Sequence, residues 1–401
     1  RVPLAYTLSA LGQVALAQGE TEKARTLYAK ARQLANDAVA DGAAGRATAH
    51  LGDLYLREDN ASYALHLLQE AVPRLEGSGD LELLGYFMGR TGQAMVIMGQ
   101  HHEGLREIQR GLETAVHLQN RPHIRWLSRI LGEYAERNSD LRLAKHYYED
   151  ALALYPESHL PLAEHTQLQI AMSRVLSQLG QSEAALQQAE KAQIHAATFG
   201  LETQAQLALG EAYFAMGNRA KAQQLLQNLD DHLQALPHEQ QVDSLRTLAK
   251  LSDDYDEATQ RYQQALRLAK ADEQRAELHE ALARLHERQG HWQIAREAWS
   301  AAQKAYEAAQ RQDDAVLVAC ALGANYARLG EGRMAKRHYS AALEQLHSVA
   351  NTVKRGQILA SVAAAYSDYG PVESALDFFV EAIEIARRAD DPYGEALRRS
   401  L

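Results

Sequence analysis

Residues that could carry catalysis or hold a metal do not have the spacing that such chemistry needs. The closest approach is His279-Glu280, since a zinc-protease helix needs a second histidine four residues after the first, where this chain has Ala283. The stretch Gly330–Gly332 has two glycines of a phosphate loop but lacks the Lys-Ser/Thr that ends such loops. We therefore predict no catalytic residue, no metal site and no cofactor, and a protein that is not an enzyme.

Composition restricts the class of partner. The 401 residues include 42 Lys+Arg and 52 Asp+Glu, a formal net charge of −10, which argues against nucleic acid. No apolar run approaches the roughly 18 residues of a membrane span, so we expect no membrane association. The single cysteine, Cys320, excludes an internal disulfide and is typical of a reducing compartment, so we expect a cytoplasmic location. Because Cys320 lies in an apolar stretch, we expect a buried, unreactive thiol.

An internal repeat organises the chain. Four glycines are spaced 40 residues apart: Gly12, Gly52, Gly92 and Gly132. Twelve, sixteen and nineteen residues after each glycine come a small, a large and another small residue, as at Ala24, Tyr28 and Ala31. The pattern continues with some drift, so we predict one domain over residues 1–401 built from about ten repeats. The seventh repeat has an acidic turn instead of a glycine, and we expect an irregular step near residues 237–265.

Each repeat is expected to form two helices joined by a short turn, because its apolar residues recur at helical spacing in two stretches. The small residues let the two helices approach closely, and the large residue is expected to fill the gap between one pair and the next. In seven repeats the turn carries a glycine, which accepts the positive φ of a helix end. These glycines are Gly19, Gly99, Gly180, Gly217, Gly290, Gly330 and Gly370.

The arrangement resembles the tetratricopeptide repeat over residues 5–390. The resemblance rests on Leu-Gly followed by an aromatic residue, as Gly52 is followed by Tyr55, then the turn glycine, then alanine, a large residue and alanine. It implies an all-α fold, a right-handed α-solenoid superhelix whose first helices line a concave groove. The chain departs from the family in its period, which is nearer 40 residues than the usual length of about 34.

By the same resemblance, three positions of each repeat point into the groove: six and three residues before the recurring glycine, and one after it. The predicted binding residues, at or beside these positions, are Arg46, His50, Asp53, Tyr86, Arg90, Gln93, Trp126, Arg129, Glu133, Arg174, Glu211 and Arg284. Tyr86 and Trp126 hold equivalent positions beside arginines and carboxylates, so we expect a ligand to dock on repeats 2 to 4.

Core packing does not explain charges such as Arg46 and Asp53, because a buried unpaired charge is costly. The alternative is that these side chains are solvated and pair with each other. Repeats 9 and 10 offer only small groove residues, Ala324, Ala327 and Ala364, which could admit another helix.

Repeats of this period look like the carboxy-terminal sensor arms of STAND-type signal-transduction ATPases. The resemblance implies a signalling domain that binds an inducer, either a protein or peptide or a small molecule, with an ATPase domain in the same parent chain. The alternatives are a stand-alone adaptor or scaffold for protein–protein interaction, and an assembly role without a ligand. The chain begins without methionine and ends in what reads as the first helix of a further repeat, which favours a fragment of a longer protein.

Overall fold

A computed structural model describes residues 1–138, 140–155, 162–230, 233–349, 351–369 and 372–389. Within these ranges the chain forms 20 α-helices and two short 3₁₀ turns, and no strand. Two compact bodies are present. The N-terminal body comprises Arg1–Tyr134 and His146–Glu157, and the C-terminal body comprises Ala135–Lys145 and Ser158–Leu401.

Consecutive helices form ten pairs, which confirms the predicted all-α repeat fold. The first ten helices are α1 (Val2–Ala17), α2 (Thr21–Asp37), α3 (Asp41–Arg57), α4 (Ala61–Ser78), α5 (Leu84–Ile97), α6 (His101–His117), α7 (Arg121–Arg137), α8 (Leu141–Ala153), α9 (Ala163–Gln178) and α10 (Ser182–Phe199). The other ten are α11 (Glu202–Ala215), α12 (Arg219–Asp230), α13 (His238–Leu251), α14 (Tyr255–Leu268), α15 (Asp272–Arg288), α16 (Trp292–Ala308), α17 (Gln312–Arg328), α18 (Gly332–Gln345), α19 (Thr352–Tyr369) and α20 (Val372–Ala389).

The turns within the pairs use the predicted glycines. Six of them have φ between 74° and 81°, a left-handed conformation that glycine adopts without strain: Gly19, Gly99, Gly180, Gly217, Gly290 and Gly330. Gly370 lies outside the described residues. The acidic turn between α13 and α14 is built differently, because Ser252 is extended and the side chain of Asp254 accepts a hydrogen bond from the Glu257 N–H at 2.8 Å.

The recurring glycine and the large residue sixteen positions later form one contact. A Cβ on Gly12 would lie 2.5 Å from the Tyr28 ring, and one on Gly52 would lie 2.7 Å from Leu68. The large residue therefore packs first within its own helix pair, whereas the sequence placed it between pairs. Tyr28 does both, since its ring also stacks on His50 of the next pair with 5.0 Å between the centroids.

The large position of the last repeat differs from the others. Phe379 is 36% exposed, whereas Tyr28 is 1% exposed and Trp299 is 3% exposed. The neighbouring Phe378 instead places its ring edge-on to Tyr366, with 5.7 Å between the centroids. The small positions Ala375 and Ala382 stay buried, and Tyr326 and His338 make the equivalent ring contact one repeat earlier, so α20 keeps the register of the preceding repeats and only its large position is exposed.

A buried polar network in the C-terminal body joins residues far apart in the chain. Lys354 is 1% exposed, and its Nζ lies 2.6 Å from Asp314, which also pairs with Arg311 at 2.7 Å. Lys354 also donates to Asn138 Oδ1 at 3.4 Å, and Arg311 donates to the carbonyl of Arg137 at 3.3 Å. Burial lowers the pKa of Lys354, while the nearby carboxylate of Asp314 opposes that shift.

Candidate binding surfaces

Nine of the twelve predicted binding residues lie in the N-terminal body, on or beside the inner positions of α3, α5 and α7. Their neighbours belong to the same set or to adjacent helices, so the structure brings them together. We call this set the N-terminal surface: Arg46, His50, Asp53, Tyr86, Arg90, Gln93, Trp126, Arg129 and Glu133.

His50 belongs to the interior of this body. It is 7% exposed and lies between Tyr28, on which it stacks, and Phe87, whose ring it meets edge-on at 5.1 Å. Gln13 Nε2 donates to His50 Nε2 at 2.9 Å, which requires the neutral ring. Burial lowers the pKa of His50 to about 4, so the ring is uncharged at neutral pH. The ring is thus closed off from a ligand by its aromatic neighbours.

Asp53 corrects the argument that core packing cannot explain these charges. It is 5% exposed, yet Arg57 Nε donates to it at 3.0 Å and Arg90 forms a second ion pair with it. Arg90 in turn donates to Gln93 Oε1 at 2.8 Å. Two arginines thus offset the cost of burying the carboxylate, which is high only for an unpaired charge.

The remaining charges of the N-terminal surface are also paired. Arg46 donates to Asp80 at 3.0 Å and to Glu82 at 3.1 Å, and its guanidinium lies over the Tyr6 ring. Arg129 pairs with Glu133 one helical turn away. Mutual pairing was the alternative interpretation of these residues, and the geometry agrees with it.

Trp126 and Tyr86 occupy equivalent positions and touch each other, with 4.8 Å between their ring centroids. A Cβ on Gly89 would lie 2.6 Å from the Trp126 ring, so the indole fills the space that this glycine leaves. His123 adds a third ring beside Tyr86, at 5.7 Å. Trp126 is half-buried and contributes to packing as well as to the surface.

The other three predicted residues lie on three different helices of the C-terminal body, α9, α11 and α15. Each has its own ion pair: Arg174 with Glu136 at 3.3 Å, Glu211 with Lys250 at 3.5 Å, and Arg284 with Glu280 at 2.5 Å. Arg284 also borders a cavity, whose small groove residues Ala324, Ala327 and Ala364 the sequence had identified.

That cavity has a volume of about 850 Å³ and lies against α15 to α19. The cavity arises from the residues at the groove position one after the recurring glycine. This position is polar in repeats 1 to 8 and alanine in the last two: Gln13, Asp53, Gln93, Glu133, Arg174, Glu211, Thr247, Arg284, Ala324 and Ala364. Both alanines line the cavity and are exposed to it, beside Leu317 and Cys320 at further groove positions. Short side chains therefore leave open the space that longer ones fill elsewhere.

One side of the cavity is polar. Glu287 Oε1 accepts hydrogen bonds from Trp299 Nε1 at 2.9 Å and from Asn325 Nδ2 at 3.1 Å. Next to it, Glu280 accepts from the Tyr306 hydroxyl at 2.7 Å and pairs with Arg284. Cys320 is buried as expected, and burial raises the pKa of its thiol to about 12, which keeps it protonated and unreactive.

Neither a metal site nor a membrane-spanning helix is found among the described residues. In the part of the chain that the structure describes, no three His, Cys, Asp or Glu side chains gather as metal ligands. Across the same described residues, no helix combines the length and the apolar character needed to cross a membrane.

Comparisons with known proteins agree with this architecture. A tetratricopeptide repeat family model matches residues 5–30 and 203–228. No curated protein matches the chain by sequence. A Rap protein crystallised with Competence and Sporulation Factor is 16% identical, with a TM-score of 0.50 over 86% of this chain and 98% of that one.

Two further structures score slightly lower. The Rap conjugation gene regulator of plasmid pLS20, solved with the Phr* peptide, is 15% identical, with a TM-score of 0.49 over 78% of this chain and 98% of that one. A monomeric IFIT1 mutant with Gppp-AAAA is 14% identical, with a TM-score of 0.49 over 88% of this chain and 82% of that one. The matched repeats and the ten helix pairs together support a tetratricopeptide-type repeat array.

Proposed function

We propose that this chain is a recognition domain without catalytic activity, which binds a peptide segment of a partner in the cavity of the C-terminal body. The observation that carries the proposal is the open space at the groove positions of repeats 9 and 10. Its volume of about 850 Å³ lies within the range of about 300–1,000 Å³ that is common for ligand sites.

The lining suits a peptide. Ala324 and Ala364 expose apolar surface, and burying apolar surface contributes about 25 cal/mol per Å². Glu287 and Glu280 provide acceptors on the opposite side, which can orient a peptide. A Rap protein of similar fold was crystallised in complex with Competence and Sporulation Factor, and this precedent supports a recognition role.

The biological role that we propose is sensing: binding in the cavity would report an inducer to an ATPase domain in the same parent chain, as in STAND-type proteins. A stand-alone adaptor remains the second candidate, because the same cavity could anchor a partner without a signalling output. The two are separated by adding a peptide that binds to the full-length parent protein and measuring nucleotide hydrolysis. A sensor arm changes the hydrolysis rate, and an adaptor does not.

The binding proposal is tested with an immobilised library of nine-residue peptides. The Ala324→Trp/Ala364→Trp double variant fills the cavity and is expected to lose peptide retention. Ala308→Trp is the matched control, because Ala308 is exposed on α16 and does not line the cavity. Circular dichroism should show both variants to be as helical as the wild type. Equal retention by the wild type and the folded double variant would contradict the proposal.

A further inference from the structure

Glu287 is a carboxylate at the cavity wall for which the described residues provide no ion-pair partner. Its two hydrogen-bond donors, the Trp299 indole and the Asn325 amide, are both neutral. No lysine or arginine among the described residues lies within ion-pair distance of it. The other wall carboxylate, Glu280, is already paired with Arg284. Glu287 therefore presents a negative charge that the chain itself does not neutralise.

A second unused acceptor lies next to it. Asn325 is 1% exposed and donates its Nδ2 to Glu287, while its Oδ1 is buried and has no hydrogen-bond donor among the described residues. Buried side-chain acceptors nearly always receive a hydrogen bond, so the unsatisfied Asn325 Oδ1 is an exception. Asn325 itself does not line the cavity, whereas Glu287 does, so Glu287, held by the Asn325 and Trp299 donors, is the acceptor that an occupant with positive charge and N–H donors can reach.

The cations of the cavity do not meet this need. Arg284 bonds to Glu280 at 2.5 Å and also lies over the Trp299 ring, 5.9 Å from its centroid. Arg328, at the other side, has its guanidinium over Trp292 and no carboxylate partner in the described ranges. Arg284 is held by Glu280 and Trp299 and Arg328 lies over Trp292, so neither guanidinium pairs with Glu287.

We propose that the peptide bound in this cavity carries a lysine or arginine whose side chain pairs with Glu287, while small apolar side chains lie against Ala324 and Ala364. This inference rests on the proposed function, peptide binding in the cavity, and adds that the peptide is basic at one position. The carboxylate is fixed in advance by Trp299 and Asn325, so binding a cation requires no rearrangement, and charge-assisted hydrogen bonds are about twice as strong as neutral ones.

The test is a position-scanning library of immobilised nine-residue peptides, applied to the wild type and to Glu287→Gln. The glutamine keeps an oxygen that accepts from Trp299 and Asn325, so the fold is retained, but it removes the charge. We expect the wild type to select lysine or arginine at one position about tenfold or more, and Glu287→Gln to lose that selection. Glu307→Gln is the matched control, because Glu307 is exposed on α16 and does not line the cavity.

A charge reversal provides a second readout. Glu287→Lys should replace the basic preference with an acidic one at the same peptide position. If the cavity-filling double variant abolishes peptide binding but the wild type shows no basic preference, or Glu287→Gln keeps it, this inference is wrong while the proposed function stands. If the wild type and the cavity-filling variant retain peptides equally, both are overturned.

Discussion

The N-terminal surface and the cavity of the C-terminal body are built on the same groove positions, yet one is filled and the other is open. In the N-terminal body these positions hold Asp53, Tyr86 and Trp126, whose side chains contact one another or neighbouring helices. In the C-terminal body the position of Asp53 holds Ala324 and Ala364 in repeats 9 and 10, the position of Tyr86 and Trp126 holds Leu317 and Gln357, and about 850 Å³ stays free.

The difference teaches that polar and aromatic residues at groove positions do not by themselves mark a binding site. Where they are long enough to reach each other, they satisfy their own charges and close the surface. Where the position after the recurring glycine is alanine, the repeat leaves a space that its own side chains do not fill. In this array the volume of the side chain matters more than its chemical type.

The largest expected effect tests how tightly the N-terminal surface is built. Tyr28→Ala should destabilise the protein by about 3–5 kcal/mol, because it removes a buried ring that packs on Gly12 and stacks on His50. Peptide binding in the cavity should be unchanged, since a repeat touches only its neighbours. Urea denaturation followed by circular dichroism measures the loss of stability, and retention of the peptide library measures binding in the cavity.

Tyr63→Ala is the control for that change, because Tyr63 is 44% exposed and its loss should cost at most about 1.5 kcal/mol, the value of one aromatic pair. Equal destabilisation by both substitutions would show that the repeat register is misassigned.

The second prediction concerns pH and also belongs to the N-terminal surface. The pKa of His50 falls from 6.5 to about 4 on folding, so its contribution is fully present above pH 6.5 and is lost as the pH falls through 4. Since each pKa unit corresponds to about 1.4 kcal/mol, the free energy of unfolding should drop by about 3 kcal/mol between pH 7 and pH 4 from this residue.

His50→Phe isolates that effect, because phenylalanine keeps a ring between Tyr28 and Phe87 but does not titrate. Other histidines with a lowered pKa act equally in both proteins, so the difference between the two pH profiles of unfolding reports His50. Parallel profiles would mean that the ring is accessible to water.

The third prediction concerns a double substitution with a small effect on stability, which distinguishes docking on the N-terminal surface from docking in the cavity. Trp126→Ala/Arg129→Ala should cost about 1–2 kcal/mol, because the indole is only half-buried. Docking on repeats 2 to 4, which the sequence alone favours, predicts that peptide affinity falls by about a hundredfold, equivalent to about 2.8 kcal/mol. Docking in the cavity predicts unchanged affinity. Titration calorimetry with a peptide selected from the library decides between the two sites. A hundredfold loss of affinity would place the peptide on repeats 2 to 4 and not in the cavity.

The fold was accessible from the sequence because its signals are local. A glycine, a turn glycine and the alternation of small and large residues each report contacts within one helix pair, and Gly12 with Tyr28 is such a contact. The pairing of the groove residues was less accessible. Asp53 meets Arg90 of the next repeat, and sequence spacing alone does not say whether two such side chains reach each other.

The cavity could be predicted only in part. Ala324 and Ala364 were recognised as small residues in the groove, but the open volume depends on every side chain around them, including Trp299 and Tyr339 from second helices. Glu287 and Asn325 illustrate the same limit, because their hydrogen bond joins two repeats. A run of polar-to-alanine changes at one repeat position is the signal that could have located the cavity.

The buried network of Lys354, Asp314 and Asn138 has a consequence for how the protein unfolds. Contacts in a repeat array are otherwise local, and such arrays can fray from an end one repeat at a time. Here the hydrogen bond from Lys354 to Asn138 joins residues 216 positions apart, and separating them would remove one acceptor from a buried ammonium. The repeats between these two residues should therefore exchange their amide hydrogens as a single cooperative block, and not one after another.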